Sequence, residues 1–499
     1  MRDILHNSKI EDMRKRRTIY HNDARHYYLW LYDPPMRMKD AWRPIDDVVG
    51  TAVDTFSYCV QRGDGLFYPT KVGLMFGSDK QPFSNPIAWH AWHAMQSLID
   101  RGLDPLQVLI DRAHEKGLEF WSDLRLATYG GIDADLRVEN GGRYFAEAEV
   151  RDHLGGVARE LVIDYPSDGL ELDFAIANGN RPSYLQPGDV AEYTPVVTKW
   201  VGDLADTMRS REGGGTIGAR VYPVEELNLR QGLDVRAWLA EGIVDFVVPM
   251  MYEYNRLDPN MPMDWLIEAA HERDVSVYGM LQHTVPAQEV SLSSDSRVYP
   301  TIEQLRATAA SFWDRDIDGL YAWFMRWPHG DTERAFLSEM GDPDLIDEKD
   351  KTYFVLRRSQ ESDSPSYGAP LPVEIPEADP NDQHEIPFYV ADDIAASDLV
   401  SSATLSIKIM NLIMGDKISI ELNGESLLGE SVTRDFAHNT PHIAPRGLDL
   451  QFRLRDVLPR KGWNTLQISL DERPDMMVGG ITVDQVELWV EYSPYPSAR

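Results

Sequence analysis

The chain has 499 residues, 43% hydrophobic and 26% charged, which suffices for two or three domains with substantial cores and argues against wholesale disorder. Its 81 acidic and 49 basic residues give a formal net charge of −32, a surface that repels nucleic acid and anionic membranes and argues against both as partners. Cys59 is the only cysteine, so no intrachain disulfide and no cysteine-based metal site can form, and no run of 18 apolar residues marks a membrane helix.

The opening stretch, MRDILHNSKIEDMRKRRT, is charged and lacks the apolar core of a secretory signal. The expected setting is therefore cytoplasmic, or secreted or periplasmic with the signal already removed. Short apolar or β-branched runs then alternate with helix-like segments. The expected strands are 16–22, 51–58, 118–125, 168–175, 216–222, 244–252, 275–281 and 319–327. Between them, 103–117 carries apolar residues at helical spacing and ends at Gly117, while 299–319 starts at Thr301 as N-cap with Glu303 in its first turn. WLIEAAHERD (265–274) precedes the seventh strand. Eight strands alternating with helices predict an α/β fold, a (β/α)8 TIM barrel over residues 1–345. An open doubly wound sheet is disfavoured, because no Gly-rich phosphate loop follows the first strand.

After residue 345 the chain turns polar and Pro-rich, so 346–385 is expected as a linker that also holds TYFVL (352–356) as a first strand of the next domain. Beyond it, 405–409, 417–424, 448–454, 463–470 and 483–492 alternate apolar and polar residues, with Asn423-Gly424 as a hairpin turn. The expectation for 386–499 is an antiparallel all-β sandwich.

In such a barrel the βα loops at the C-terminal ends of the strands build the pocket, so strand ends nominate the site. Alternation puts Gly169, Glu171, Asp173 and Ala175 on the inner face of the fourth strand. The first strand end offers His21, Asn22 and Asp23; the second, Asp54 and Tyr58; the third, Asp123 and Arg125; the fifth, Arg220 and Tyr222. The sixth offers Met250, Tyr252 and Glu253; the seventh, Gln282 and His283; the eighth, Trp323 and Arg326. Carboxylates for acid/base work and aromatic faces for stacking suit a carbohydrate. Cleaving a glycoside takes two such groups, one to protonate the leaving oxygen and one on the opposite face of the sugar. Asp173 and Glu253, two strands apart, are the expected catalytic pair. Asn22, Asp23, Asp123, Arg125, Glu171, Arg220, Tyr252, Gln282, His283, Trp323 and Arg326 are the expected substrate contacts.

Each assignment has a structural counterpart. Glu171 fits a buried carboxylate paired with Arg125 or Arg220, and Trp323 fits a plug of the barrel's upper layer. Arginines at three strand ends fit either an anionic glycan, uronic or sulfated, or the balancing of the protein's own acids. His90 and His93 in WHAWHAM lie three apart without an acidic partner at suitable spacing, so neither a metal nor a cofactor is expected.

Asp168-Gly-Leu-Glu171-Leu-Asp173 resembles the fourth strand of family-18 glycoside hydrolases, the chitinase-like barrels, whose pattern is DGxDxDxE. Met250-Met-Tyr252-Glu253 resembles their sixth-strand MxYD, and Trp323 falls where they carry a tryptophan on the eighth strand. The position matching that family's general acid is Ala175, so the chitinase mechanism does not carry over. DGLELDF also resembles the strand of broader glycoside-hydrolase-like barrels of environmental bacteria, where a DGI-like strand ends in an aspartate without that glutamate. The resemblance implies a glycoside hydrolase acting on a polysaccharide or oligosaccharide. Two alternatives stay open: a non-catalytic carbohydrate-binding barrel, and a polysaccharide lyase with Tyr252 or His283 as base.

Overall fold

The computed structural model describes residues 16–23, 31–62, 65–127, 132, 135–138, 142–175, 183–251, 256–286, 297–357, 370–437 and 447–495. The chain forms two compact units. One comprises Met1–Asn255, Pro262–Gln282 and Asp316–Gly341; the other comprises Arg256–Met261, His283–Arg315 and Asp342–Arg499.

The first unit is a closed parallel barrel of eight strands. They are β1 (Arg17–Asp23), β2 (Thr55–Cys59), β3 (Glu119–Arg125), β4 (Gly169–Asp173), β5 (Thr216–Val221), β6 (Phe246–Pro249), β7 (Ser276–Leu281) and β8 (Gly319–Trp323). Each pairs with its sequence neighbours, and β8 returns to β1, as a (β/α)8 barrel requires. Helix α1 (Pro105–Glu115) shows why these segments fold locally. Asp104 accepts from the backbone N–H groups of Leu106 and Gln107, and Pro105 occupies the first turn, where its missing N–H costs nothing. Gly117, at φ +77°, then ends the helix in the left-handed region.

Several expected strands overran their C-terminal ends. The eighth stops at Trp323 rather than 327, because Phe324 and Met325 adopt φ of 62° and 21° and turn the chain out of the sheet. A β-strand cannot continue through that conformation.

At the N-terminal end of the barrel one device repeats on alternate strands. Asp54, Asp168, Asp245 and Asp318 each precede an even-numbered strand. Their side chains accept the backbone N–H of Thr18, Phe120, Ile217 and Val277 at 3.0, 2.8, 2.8 and 2.8 Å. Each aspartate also donates its own N–H to the carbonyl of that same residue. The first aspartate of the DGLELDF stretch is thus a fastening for the barrel, with His114 Nε2 2.8 Å from its carboxylate. Removing one fastening should leave a strand N–H without its partner. Asp168→Ala is expected to lose about 1–3 kcal/mol, read as a lower urea midpoint with an unchanged slope.

Above this end the barrel is filled with rings. Trp121 and Phe246 stack at 4.2 Å with 19° between their planes. The room for them comes from two glycines: a Cβ on Gly169 would lie 2.5 Å from the Trp121 ring, and one on Gly218 2.3 Å from Phe246.

Among its described residues the second unit holds two large antiparallel sheets, besides a two-stranded one of Val285–Pro286 and Arg297–Val298. The strands are β9 (Lys351–Phe354), β10 (Val373–Ile375), β11 (His384–Val390), β12 (Val400–Met410), β13 (Lys417–Leu422), β14 (Ser431–Ala437), β15 (Gly447–Arg453), β16 (Gly462–Glu472) and β17 (Ile481–Tyr492). One sheet runs β9-β17-β12-β15-β14, with β10 also on β17; the other runs β11-β16-β13 and a short strand at Glu425–Ser426. Their apolar faces share one core, including Leu405, Ile407, Leu466, Ile468 and Leu488, the interleaving that defines a sandwich. Asn423 and Gly424, at φ 55° and 81°, make the expected two-residue hairpin turn. The stretch expected as a linker carries β9 and β10, and β11 begins at His384. Residues 358–369 within it lie outside the described residues. Helix α2 (Ile302–Asp314), which stands between β7 and β8 in the chain, belongs to this second unit. Its Ala307 joins the sandwich core, and Thr301 caps it in a reciprocal box with Gln304.

Candidate active site

The C-terminal half of the barrel interior is polar, and strand register explains why. Asp123 lies opposite Glu171 and Arg125 opposite Asp173 across β3 and β4, while Asp173 faces Arg220 across β4 and β5. His21 lies opposite Ser57 on one side and Trp323 on the other. Side chains of alternate residues therefore converge in two layers inside the barrel.

Arg220 sits at the centre with no exposed surface. Its Nε and Nη2 donate to Glu171 Oε1 at 2.8 and 2.6 Å, and Nη1 donates to Asp173 Oδ2 at 2.9 Å. Nη2 also donates to Tyr321 Oη at 2.9 Å. Burial works against its charge, but Asp173 and Glu171 outweigh that and hold the guanidinium well above its ordinary range. Glu171 receives two further bonds, from Ser57 Oγ at 2.7 Å and from Tyr321 Oη at 2.9 Å. Arg125 is 3.0 Å from Asp23 through Nη1 and 3.9 Å from Asp173 through Nε.

Asp123 differs from its neighbours. It has no exposed surface and neither oxygen has a hydrogen-bond partner among the described residues. Arg220 Nη2 is 3.4 Å away and His21 Nε2 3.8 Å. Burial pushes its carboxyl well above the usual carboxylate range; Arg220 pulls it down, while Glu171 and Asp173 push it further up. The sign of the consequence follows from linkage. The folded chain keeps a proton that the unfolded chain releases near the usual carboxylate value, so this group's contribution falls as pH rises from there toward the raised value. Asp123→Asn keeps the shape of the protonated acid. Its melting temperature should exceed that of the wild type increasingly as pH rises through that window, and calorimetry at several pH values checks it.

Other expected contacts are placed as follows. Asp23 is buried on Arg125, and Asn22 lies on the opposite face of β1 from His21 and Asp23, beside Tyr58 in the register. Gln282 is buried and donates through Nε2 to the Met251 carbonyl at 2.9 Å. Trp323 has no exposed surface: Phe324 stacks on it at 4.8 Å and the Arg220 guanidinium lies over its ring at 5.9 Å. It fills the barrel and offers no open face to a sugar. Ala175, the position matching the chitinase acid, packs in the same apolar cluster as Met250 and Trp323. Arg326 is exposed, and His283 belongs to the second unit, 6.4 Å from the Tyr299 ring. Tyr252 and Glu253 lie outside the described residues.

Three participants carried no sequence signal beyond alternation. Tyr321 and Ser57 bridge His21 to Glu171 from β8 and β2, two residues before Trp323 and two before Cys59. Phe324 turns its ring onto His21 at 5.3 Å, through the left-handed φ that ends β8. Among the described residues no three His, Cys, Asp or Glu side chains gather as metal ligands, and His90 has Asp33 3.8 Å from Nε2. No described helix is long and apolar enough to cross a membrane.

Cys59 borders this interior. It is fully buried, its thiol donates to the Gln61 carbonyl at 2.9 Å, and burial pushes it well above its ordinary range. A thiol reagent at pH 8 should therefore label Cys59 only as fast as the barrel opens. Labelling at the rate of a free thiol in native buffer would contradict this placement.

No protein-family model matches the sequence, and no curated protein matches it. Among solved structures the chain is similar to the cycloisomaltooligosaccharide glucanotransferase of Paenibacillus sp., with 11% identity over 95% of this chain and 57% of that one, at a TM-score of 0.34. It is also similar to an alpha-L-fucosidase GH29 from Bacteroides thetaiotaomicron, with 10% identity over 93% of this chain and 96% of that one, TM-score 0.39. Alpha-L-fucosidase isoenzyme 1 from Paenibacillus thiaminolyticus gives 12% identity over 93% and 99%, TM-score 0.37. The chain spans little more than half the length of the glucanotransferase. None of these likenesses assigns a role to a residue of this chain.

Proposed function

We propose that the chain is a glycoside hydrolase whose site lies at the C-terminal ends of the barrel strands. The observation that supports this reading is the crowding of four carboxyls, Asp23, Asp123, Glu171 and Asp173, around two guanidinium groups inside that half of the barrel. Buried charge of this kind is a poor way to stabilise a fold, and its concentration at the face where barrels carry their chemistry favours a functional reason.

The geometry also favours a division of roles. Asp173, bonded to Arg220 and close to Arg125, suits an anion that faces the cationic sugar carbon of the transition state, as stabiliser or nucleophile. A carboxylate so engaged is a poor proton donor, so the acid role is left to the other member of the pair expected from the sequence, Glu253, which lies outside the described residues. The arginines of β3 and β5 are matched by the protein's own acids, which removes most of the support for an anionic glycan. A neutral oligosaccharide is the substrate class we favour. The same engagement weakens the lyase reading, which needs an arginine open to a uronate.

A non-catalytic glycan-binding barrel is the second reading, favoured by the complete burial of Asp173. The experiment that separates them is a panel of neutral, uronic and sulfated glycans incubated with wild type and Asp173→Asn. New reducing ends from a neutral glycan, lost in the variant, support the hydrolase. Binding without products throughout supports the second reading, and ultraviolet absorbance from an unsaturated uronate would reinstate the lyase.

A further inference from the structure

The hydrogen bonds around Glu171 constrain a group one step away from it. Glu171 is the strongest acceptor in its surroundings, and the hydroxyls of Ser57 and Tyr321 both turn to it, at 2.7 and 2.9 Å. A hydroxyl that has given its hydrogen to a carboxylate offers only lone pairs elsewhere. His21 Nδ1 lies 2.9 Å from the Tyr321 oxygen and 3.2 Å from that of Ser57. Arg220 Nη2 also lies 3.5 Å from Nδ1, but its two hydrogens go to Glu171 Oε1 and Tyr321 Oη at 2.6 and 2.9 Å, so the donor role at Nδ1 falls to its own N–H, facing those oxygens.

That choice fixes what the other nitrogen does. In the neutral ring with Nδ1 protonated, Nε2 is an acceptor, and it faces Asp123 Oδ2 at 3.8 Å. Neither oxygen of Asp123 has a hydrogen-bond partner among the described residues. An acceptor nitrogen facing an ionised carboxylate would be two lone pairs opposed in a dry interior, an arrangement that a single proton relieves. The charges on every side favour that proton. Arg220 of β5 faces both groups; Glu171 and Asp173 of β4, Asp23 of β1 and Arg125 of β3 complete the surroundings. Four carboxyls against two guanidiniums leave two negative charges unmatched, and one proton removes one of them.

We infer that His21 and Asp123 hold one proton in common, and that this pair is a positioning element of the site. With the proton on Asp123 the pair is a carboxylic acid facing a neutral imidazole; with the proton on Nε2 it is a carboxylate facing an imidazolium. Both forms keep the Nδ1 hydrogen and carry the same net charge. The pair therefore acts through a fixed sequence of bonds. Nδ1–H holds the Tyr321 and Ser57 oxygens, their hydroxyl hydrogens hold Glu171, Glu171 holds two edges of Arg220, and Arg220 Nη1 holds Asp173. Loss of the shared proton adds a negative charge beside Arg220, which then has an alternative to Asp173. Only the last link, from Asp173 to catalysis, rests on the proposed function; the proton itself does not.

The test is ring-nitrogen NMR on the full chain labelled with 15N-histidine, across pH 5 to 9. His21 is assigned by the signal missing in His21→Gln or, should that variant not fold, by the through-space contact of its ring with that of Phe324, 5.3 Å away, lost in Phe324→Leu. The expected result is a ring whose Nδ1 stays protonated throughout and whose Nε2 is protonated or strongly hydrogen-bonded at neutral pH. In Asp123→Asn that Nε2 signal should move toward a bare nitrogen, its proton affinity falling by about tenfold or more, roughly one pH unit. A His21 ring protonated on Nε2 with Nδ1 bare would overturn the inference. So would an Nε2 signal that Asp123→Asn leaves in place. Neither outcome depends on whether the protein cleaves a glycan, so failure here and failure of the hydrolase reading are separately visible.

Discussion

Arg220→Met is expected to destabilise the barrel by about 3–5 kcal/mol at pH 8, because it strands Glu171 and Asp173 as charges in a dry interior. The guanidinium gives both carboxylates direct hydrogen bonds and has no exposed surface through which water could replace it. The pH dependence has a definite sign. Without the arginine both carboxyls are pushed up by burial, so the folded variant binds protons that its unfolded chain releases. Its stability should fall as pH rises from the usual carboxylate range, and the deficit against wild type should be smaller at pH 5 than at pH 8. Arg220→Lys keeps one charge but cannot reach both partners with a planar fork, so it should fall between the two. Urea unfolding at both pH values measures this, and a methionine variant as stable as wild type at pH 8 would show that the carboxylates do not depend on Arg220.

Cutting the chain after residue 345 should yield a fragment that does not unfold cooperatively. The cut looks natural in the sequence, where the texture changes from alternating helix and strand to a polar, Pro-rich stretch. Yet α2 belongs to the second unit. Its Ala307 is part of the sandwich core, Asp314 accepts from Tyr389 Oη at 2.7 Å and pairs with Lys461 at 2.8 Å, and Arg315 lies 5.8 Å from the centres of both the Tyr389 and Trp463 rings. Removing 346–499 takes away every one of those partners and leaves exposed a helix that must be traversed between β7 and β8. The two polar contacts alone would lose about 1–2 kcal/mol, roughly 0.5–1.5 from the Tyr389 hydrogen bond and less than about 1 from the half-exposed Lys461 pair. The apolar face adds to this, against a total stability of only about 5–15 kcal/mol. The expected product is insoluble or shows a broad, shallow thermal transition; a soluble fragment melting as sharply as the full chain would contradict it.

The parts of the fold that the sequence made legible are those written in periodicity. The eight barrel strands stand out as short apolar runs, and the sandwich strands as alternation. Their C-terminal limits were harder to read, because β8 ends at a phenylalanine with positive φ and no residue preference announces that. The four fastening aspartates were legible only in retrospect, as an apolar residue or serine, then Asp, recurring at 53–56, 167–170, 244–247 and 317–320. The aspartate is followed by Thr55, Gly169, Phe246 or Gly319, and only the second and fourth share a neighbour, so the repeat is one of position more than of sequence. In the site, the match between Glu171 and an arginine followed from the cost of burying a lone carboxylate. Ser57 and Tyr321 were silent, since a hydroxyl in a β-strand is usually only a polar filler. Trp323 illustrates the converse: a tryptophan at a strand end reads as a sugar platform until its exposure is known, and here it has none.

The proposed split of roles between Asp173 and Glu253 shows in how hydrolysis depends on the leaving group. Aryl glycosides of the sugar identified by the glycan panel, graded from poor to activated leaving groups, should be hydrolysed by wild type, Glu253→Gln and Asp173→Asn in parallel. If Glu253 protonates the leaving oxygen, Glu253→Gln loses activity on the poor leaving groups and keeps most of it on the activated ones, which need no acid. Asp173→Asn should lose activity across the whole series, because the charge it supplies is needed whatever leaves. Variants that both match wild type, or an Asp173→Asn enzyme spared by an activated leaving group, would contradict the assignment.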